Sequence, residues 1–87
     1  MLELYQTEGC GYSEKVRKKM SQLGITYVIH NPRLTGANDR EVTNEQTYEQ
    51  MLEIGGEDQV PFLVDHHRGV TMYESDDIIE YLNEHYG

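Results

Sequence analysis

The chain carries one thiol, Cys10, in the run Thr7-Glu8-Gly9-Cys10-Gly11-Tyr12-Ser13. A thiolate is a strong nucleophile, and its supply depends on what surrounds the sulfur. The basic side chains Lys15, Arg17, Lys18 and Lys19 follow within nine residues, against Glu14 alone. Gly9 and Gly11 flank the cysteine, so it is not set in an apolar run as a small core filler would be. A strand before Cys10 and a helix after it would put the thiol at a helix start. There, unpaired N–H groups and the positive dipole end favour thiolate over thiol. The spacing therefore points to a reactive thiolate at Cys10, with an inert buried cysteine as the bland alternative.

Composition narrows the classes. Eighty-seven residues with one cysteine form no internal disulfide framework, so one core must hold a single domain, residues 1–87. Sixteen acids against seven bases, a formal charge of −9, argue against nucleic-acid and anionic-membrane binding. No apolar run is long enough to span a bilayer, and a reduced thiol in the cytoplasm is expected. Three lysines among so many carboxylates resemble a protein of a salt-rich cytoplasm; an ordinary acidic, soluble domain is the alternative.

The elements that must position the thiol follow from periodicity. Leu2-Glu3-Leu4-Tyr5 alternates as a strand, and Gln6–Gly9 is a loop. Val16, Met20 and Leu23 make one helical stripe over Ser13–Leu23, stopped by Gly24. Ile25–His30 is β-branched and aromatic, a second strand parallel to the first through a right-handed crossover. Asn31–Val42 is polar and irregular, with a mobile tip expected. A second helix starts at Thr43 or Asn44, with Gln46 completing a capping box from Thr43. It buries Tyr48, Met51 and Leu52 and ends at Gly55-Gly56. Gln59–Asp65 is an apolar strand with Pro61 at its mouth, and His66–Gly69 turns it into Val70–Tyr73. Ser75 is expected to cap the last helix, with Asp76 and Asp77 in its first turn and Ile78, Ile79 and Leu82 buried. The result is an α/β chain of order β-α-β-α-β-β-α, a four-stranded mixed sheet covered by three helices.

With Cys10-Gly11-Tyr12-Ser13 at the first strand-to-helix turn, Val60-Pro61 before the third strand and Glu74-Ser75-Asp76-Asp77 opening the last helix, the chain resembles a glutaredoxin. It equally resembles the N-terminal thioredoxin-like domain of glutathione transferases. The resemblance implies a thioredoxin fold and a small-thiol site. Cys10 and Ser13 would be the catalytic pair of positions, and Gly11, Tyr12, Lys15, Val60, Pro61, Glu74, Ser75 and Asp76 would hold glutathione or γ-glutamylcysteine. It implies a cis proline at Pro61, backbone pairing of Val60 with the cysteinyl part of the thiol, and a γ-glutamyl end held by Ser75 and Asp76.

Serine at position 13 removes the second thiol of dithiol members, so exchange must be monothiol, with a second small thiol resolving the product. Thr7 stands where many glutaredoxins have lysine. That residue helps hold the glycine carboxylate of glutathione, so its loss fits γ-glutamylcysteine. Cys-Gly-Tyr-Ser is one aromatic swap from the Cys-Gly-Phe-Ser of glutaredoxins carrying a [2Fe–2S] cluster in a dimer. A cluster carrier is therefore one alternative, and a non-catalytic thiol- or partner-binding module another. A monomer with no tightly bound cofactor is expected, acting on mixed disulfides of proteins. His66-His67 with Asp65, or His30 with Cys10, make poor metal ligand sets, because adjacent strand residues face opposite ways.

Overall fold

Seven elements follow the expected order: β1 (Leu2–Tyr5), α1 (Gly11–Gln22), β2 (Tyr27–His30), α2 (Glu45–Gly55), β3 (Phe62–Asp65), β4 (Val70–Met72) and α3 (Ser75–Tyr86). They come from a computed structural model that describes residues 1–35 and 41–87. The strands form one mixed sheet in the order β2-β1-β3-β4. β1 runs parallel to β2 and antiparallel to β3, and β3 and β4 form the hairpin.

Strand alternation splits the core in two. Leu2, Leu4 and Leu63 face Val16 and Met20 of α1 and Ile78, Tyr81 and Leu82 of α3. Tyr5, Phe62 and Val64 face the other way, onto Met51 of α2. Two helices therefore cover one face of the sheet and one helix the other, a thioredoxin-like arrangement. Among the described residues no helix is long and apolar enough to cross a membrane.

Several boundaries differ from the sequence expectation. α1 starts at Gly11, two residues early, which makes Cys10 its N-cap. At its other end the N–H of Gly24 reaches Ser21 O and that of Ile25 reaches Met20 O. This closing pattern needs the left-handed φ of +68° at Gly24. It also takes Ile25 out of the strand, so β2 begins at Tyr27.

The capping box expected at Thr43 and Gln46 is not formed. Asn44 is the N-cap but makes no side-chain cap; its Nδ2 donates to Asn31 O at 2.6 Å. The N–H groups of Thr43 and Asn44 both point at Pro32 O, and Arg33 bridges Val42. The base of the Asn31–Val42 segment is thus stapled shut, while its expected mobile tip lies outside the described residues. In α2, Met51 is buried and Leu52 only half-buried.

Candidate functional site

Three chain segments meet at one end of the sheet: the start of α1, the approach to β3 and the start of α3. They surround a cavity of about 520 Å³ lined by Tyr12, Asp58, Gln59, Val60, Pro61, Glu74, Ser75, Asp76 and Asp77. Cys10, two residues before Tyr12, is 8% exposed. Its carbonyl accepts the N–H of Glu14 at 2.9 Å, so the thiol-bearing residue sits at the head of the helix with the first-turn N–H groups around it.

The segment leading into Cys10 is fixed by buried polar groups. Ser13 is fully buried, and its hydroxyl accepts the Thr7 N–H at 3.2 Å. The Cys10 N–H returns to Thr7 O at 3.3 Å. Ser13, expected as a catalytic position, thus serves first to hold the loop that carries the thiol. Thr7 is also fully buried, and its Oγ1 has no hydrogen-bond partner among the described residues.

β3 begins only at Phe62 because the Val60–Pro61 peptide ahead of it is cis and proline has no N–H for the ladder. Val60 and Pro61 are both buried at the cavity wall. Opposite, Glu74 takes φ 69° and ψ 113° and its carbonyl receives the Ile78 N–H at 3.0 Å. Glu74, not Ser75, is therefore the N-cap of α3, which corrects the expected capping role. Ser75 becomes the first helical residue, buried and lining the cavity. A positive φ at glutamate is uncommon and costs of order 1–3 kcal/mol, a strain that clusters at ligand sites. The Glu74 carboxylate accepts Gln59 Nε2 at 3.0 Å, linking the two rims.

Two members of the basic cluster, Lys15 and Arg17, are paired within the chain. Lys15 Nζ lies 2.5 Å from Asp76 Oδ1, bridging α1 to α3, and 5.7 Å above the Tyr12 ring. Arg17 pairs with Glu8 and donates to Gln6 Oε1. Lys15, expected to add its field to the thiol, is thus shared with a carboxylate. Asp76, expected to meet a ligand ammonium, is likewise paired. Arg33 binds both oxygens of Asp58 at 2.6 and 2.8 Å.

Of the expected site residues, Tyr12, Val60, Pro61, Glu74, Ser75 and Asp76 line the cavity together. Cys10, Gly11, Ser13 and Lys15 flank it on α1 without lining it. Gly11 faces open space: a Cβ built there meets nothing within 4 Å. Sequence reasoning missed Asp58, Gln59 and Asp77. Gln59 adjoins Val60 and Asp77 adjoins Asp76, so proximity to the motifs was their signal. Asp58 had none, since only folding brings Arg33 to it.

This geometry has relatives. Residues 4–87 match the family described as glutathione S-transferase, N-terminal domain. The chain belongs to that family. Its fold is also that of solved transferases. One is glutathione S-transferase unclassified 2 from Bombyx mori, at 26% identity and TM-score 0.75 over 99% of this chain and 36% of that one. A delta-class glutathione transferase from Nilaparvata lugens matches at 20% identity and TM-score 0.77, over 100% of this chain and 37% of that one. A glutathione transferase homologue from Drosophila mojavensis, solved with bound glutathione, matches at 20% and 0.76, over 99% and 35%. This chain thus spans little more than a third of each neighbour. A sequence search of curated proteins finds no significant match.

Proposed function

We propose that residues 1–87 form a single small-thiol domain that carries out monothiol disulfide exchange through Cys10. The Cys10 thiolate attacks one sulfur of a mixed disulfide. The old S–S bond breaks, a Cys10–S–S bond forms, and the leaving thiolate takes up a proton. A second small thiol then attacks the adduct, releasing a small disulfide and restoring Cys10. Glutathione or γ-glutamylcysteine is the co-substrate, with the Val60 backbone along its cysteinyl part and Ser75 at its γ-glutamyl end. The observation that carries this reading is the thiol at the head of α1 beside a cavity walled by Val60, cis-Pro61 and Ser75. The acid excess suits work in a salt-rich cytoplasm.

Family membership favours a second reading: a glutathione-binding module of a transferase-like protein, without exchange turnover. The family match supports a glutathione-related site and offers nothing specific to the cluster-carrying alternative.

Intact-mass spectrometry separates the two readings. Reduced protein is incubated with oxidised glutathione or with the disulfide of γ-glutamylcysteine, then with the matching thiol. A Cys10 adduct that forms and is released by thiol is the expected result. Saturable binding of glutathione with no adduct on Cys10 would instead establish the binding module.

A further inference from the structure

The stretch that leads into the cavity wall, residues 56–61, has neither helix nor strand to hold it. Glu57, Asp58 and Gln59 are instead tied by side-chain bonds, each to a different part of the fold. The Tyr73 hydroxyl holds the Glu57 backbone twice, donating to its carbonyl and accepting its N–H. Arg33 Nη2 donates to both oxygens of Asp58, and Gln59 Nε2 donates to Glu74 at the head of α3. Of these tethers, the one from Arg33 joins two opposite charges, which makes it the strongest in kind. Arg33 is itself well anchored. Its side chain is only 9% exposed, its guanidinium carbon lies 5.2 Å from the centre of the Tyr48 ring, and its backbone bridges Val42. One residue thus joins the stapled base of the Asn31–Val42 segment, the start of α2 and the lip of the cavity.

We propose that Arg33 is a positioning residue for the small thiol: through Asp58 it fixes where the Val60 backbone stands before a ligand arrives. The proposal rests on the small-thiol reading above, in which Val60 lies along the cysteinyl part, and deepens it by naming what sets affinity there. Arg33 does not line the cavity, so it acts on the ligand only through the lip it holds. A lip already in its bound conformation removes the cost of ordering it at binding. An untethered lip must be ordered by the ligand, which weakens affinity and leaves the reactivity of Cys10 as it was.

The test uses the full chain with S-methylglutathione and γ-glutamyl-S-methylcysteine, two thioethers that cannot exchange. Binding is read by isothermal titration calorimetry, Cys10 reactivity by alkylation with iodoacetamide, and folding by circular dichroism. Arg33→Gln and Asp58→Asn should each weaken binding of the tighter thioether about fivefold to tenfold, with the alkylation rate at the parent value. Both remove the same tether, so the double variant should bind no more weakly than the worse single one. Arg33→Lys keeps a charge beside Asp58 without the planar fork and should recover part of the loss. Asp58 is half-exposed, so D58N decides the matter should R33Q not fold. Unchanged binding in D58N overturns the proposal, and so do losses that simply add in the double variant. Restored binding when D58N is added to R33Q also overturns it, by assigning the loss to a freed carboxylate. A parallel fall in alkylation does the same, since it would make Arg33 a support for the whole fold. If the parent binds neither thioether, the small-thiol reading fails and the proposal with it.

Discussion

Two polar regions at different places in the sheet answer burial in opposite ways. Around Asp65, at the end of β3, every polar atom has a protein partner. One carboxylate oxygen accepts the Tyr81 hydroxyl at 2.5 Å and the Tyr86 hydroxyl at 2.7 Å. The other accepts the N–H groups of His67 and Arg68, which shapes the β3–β4 turn. Around the cavity, Ser75 is buried, the exposed Asp77 has no hydrogen-bond or ion-pair partner among the described residues, and Glu74 holds a strained backbone. The first region closes on itself and ties α3 to the hairpin. The second keeps capacity for something outside the chain. Among the described residues the one buried side-chain polar atom without a partner is Thr7 Oγ1, outside the cavity lining, so the contrast is between a carboxylate enclosed by protein donors and side chains that face an open cavity.

Substitutions should separate the two regions cleanly. The largest effect belongs to Cys10→Ser: adduct formation and exchange should be abolished, while the urea midpoint stays within that of the parent. Loss of exchange together with unfolding would make Cys10 a structural residue. Asp65→Asn should do the reverse, costing about 2–4 kcal/mol in denaturant unfolding with the Cys10 modification rate preserved in the folded protein.

The same residue has a pH signature. Burial pushes the Asp65 carboxyl up, but the hydrogen bonds from Tyr81, Tyr86, Arg68 and His67 outweigh it and hold the carboxyl below its ordinary range. Its contribution is therefore complete above the unfolded value of about 4 and is lost as pH falls through the lowered folded value. Parent protein should lose stability along that acid limb, and D65N should show a flatter one. Equal slopes would mean that Asp65 is not held as described.

Smaller effects sharpen the contrast. A Cβ at Gly55 would land on the Tyr73 hydroxyl and come within 2.7 Å of the Phe62 ring. Tyr73 cannot simply swing away, because its hydroxyl donates to Glu57 O at 2.8 Å and accepts the Glu57 N–H at 3.0 Å. Gly55→Ala should cost about 1–3 kcal/mol by the same denaturant measurement. Lys15→Ala should cost least, under about 1 kcal/mol, since its pair with Asp76 is largely exposed.

Much of this was legible in the chain because local chemistry decided it. Alternation in Leu2–Tyr5, the stripe Val16-Met20-Leu23 and Gly24 each act within a turn or a strand, and they put Cys10 at the head of a helix. The cis Val60-Pro61 peptide and the site role of Glu74-Ser75 came instead from the resemblance, since local chemistry alone would make Pro61 a trans strand opener and Ser75 a plain cap. The failures share a cause. Asn44 was expected to cap its own helix but bonds to Asn31, thirteen residues back. Ser75 yielded the N-cap to Glu74, whose positive φ no local preference predicts. Lys15 was expected to serve the nearby thiol, yet its partner lies on α3. Each turns on something only the folded chain supplies: a distant partner for Asn44 and Lys15, and a strained backbone at Glu74.

One edge of the sheet has a consequence for the protein in bulk solution. β2 lies outermost beside β1, with Val28 and Ile29 exposed. A bare strand of this kind is a template for a second copy, and nothing along Tyr27-Val28-Ile29-His30 carries a fixed charge to repel one. The mutual repulsion of chains that each bear a charge of −9 opposes such pairing. The acidic surface is then a colloidal stabiliser for an unguarded edge, strongest in dilute salt and weakest near the acid pH at which the charge vanishes.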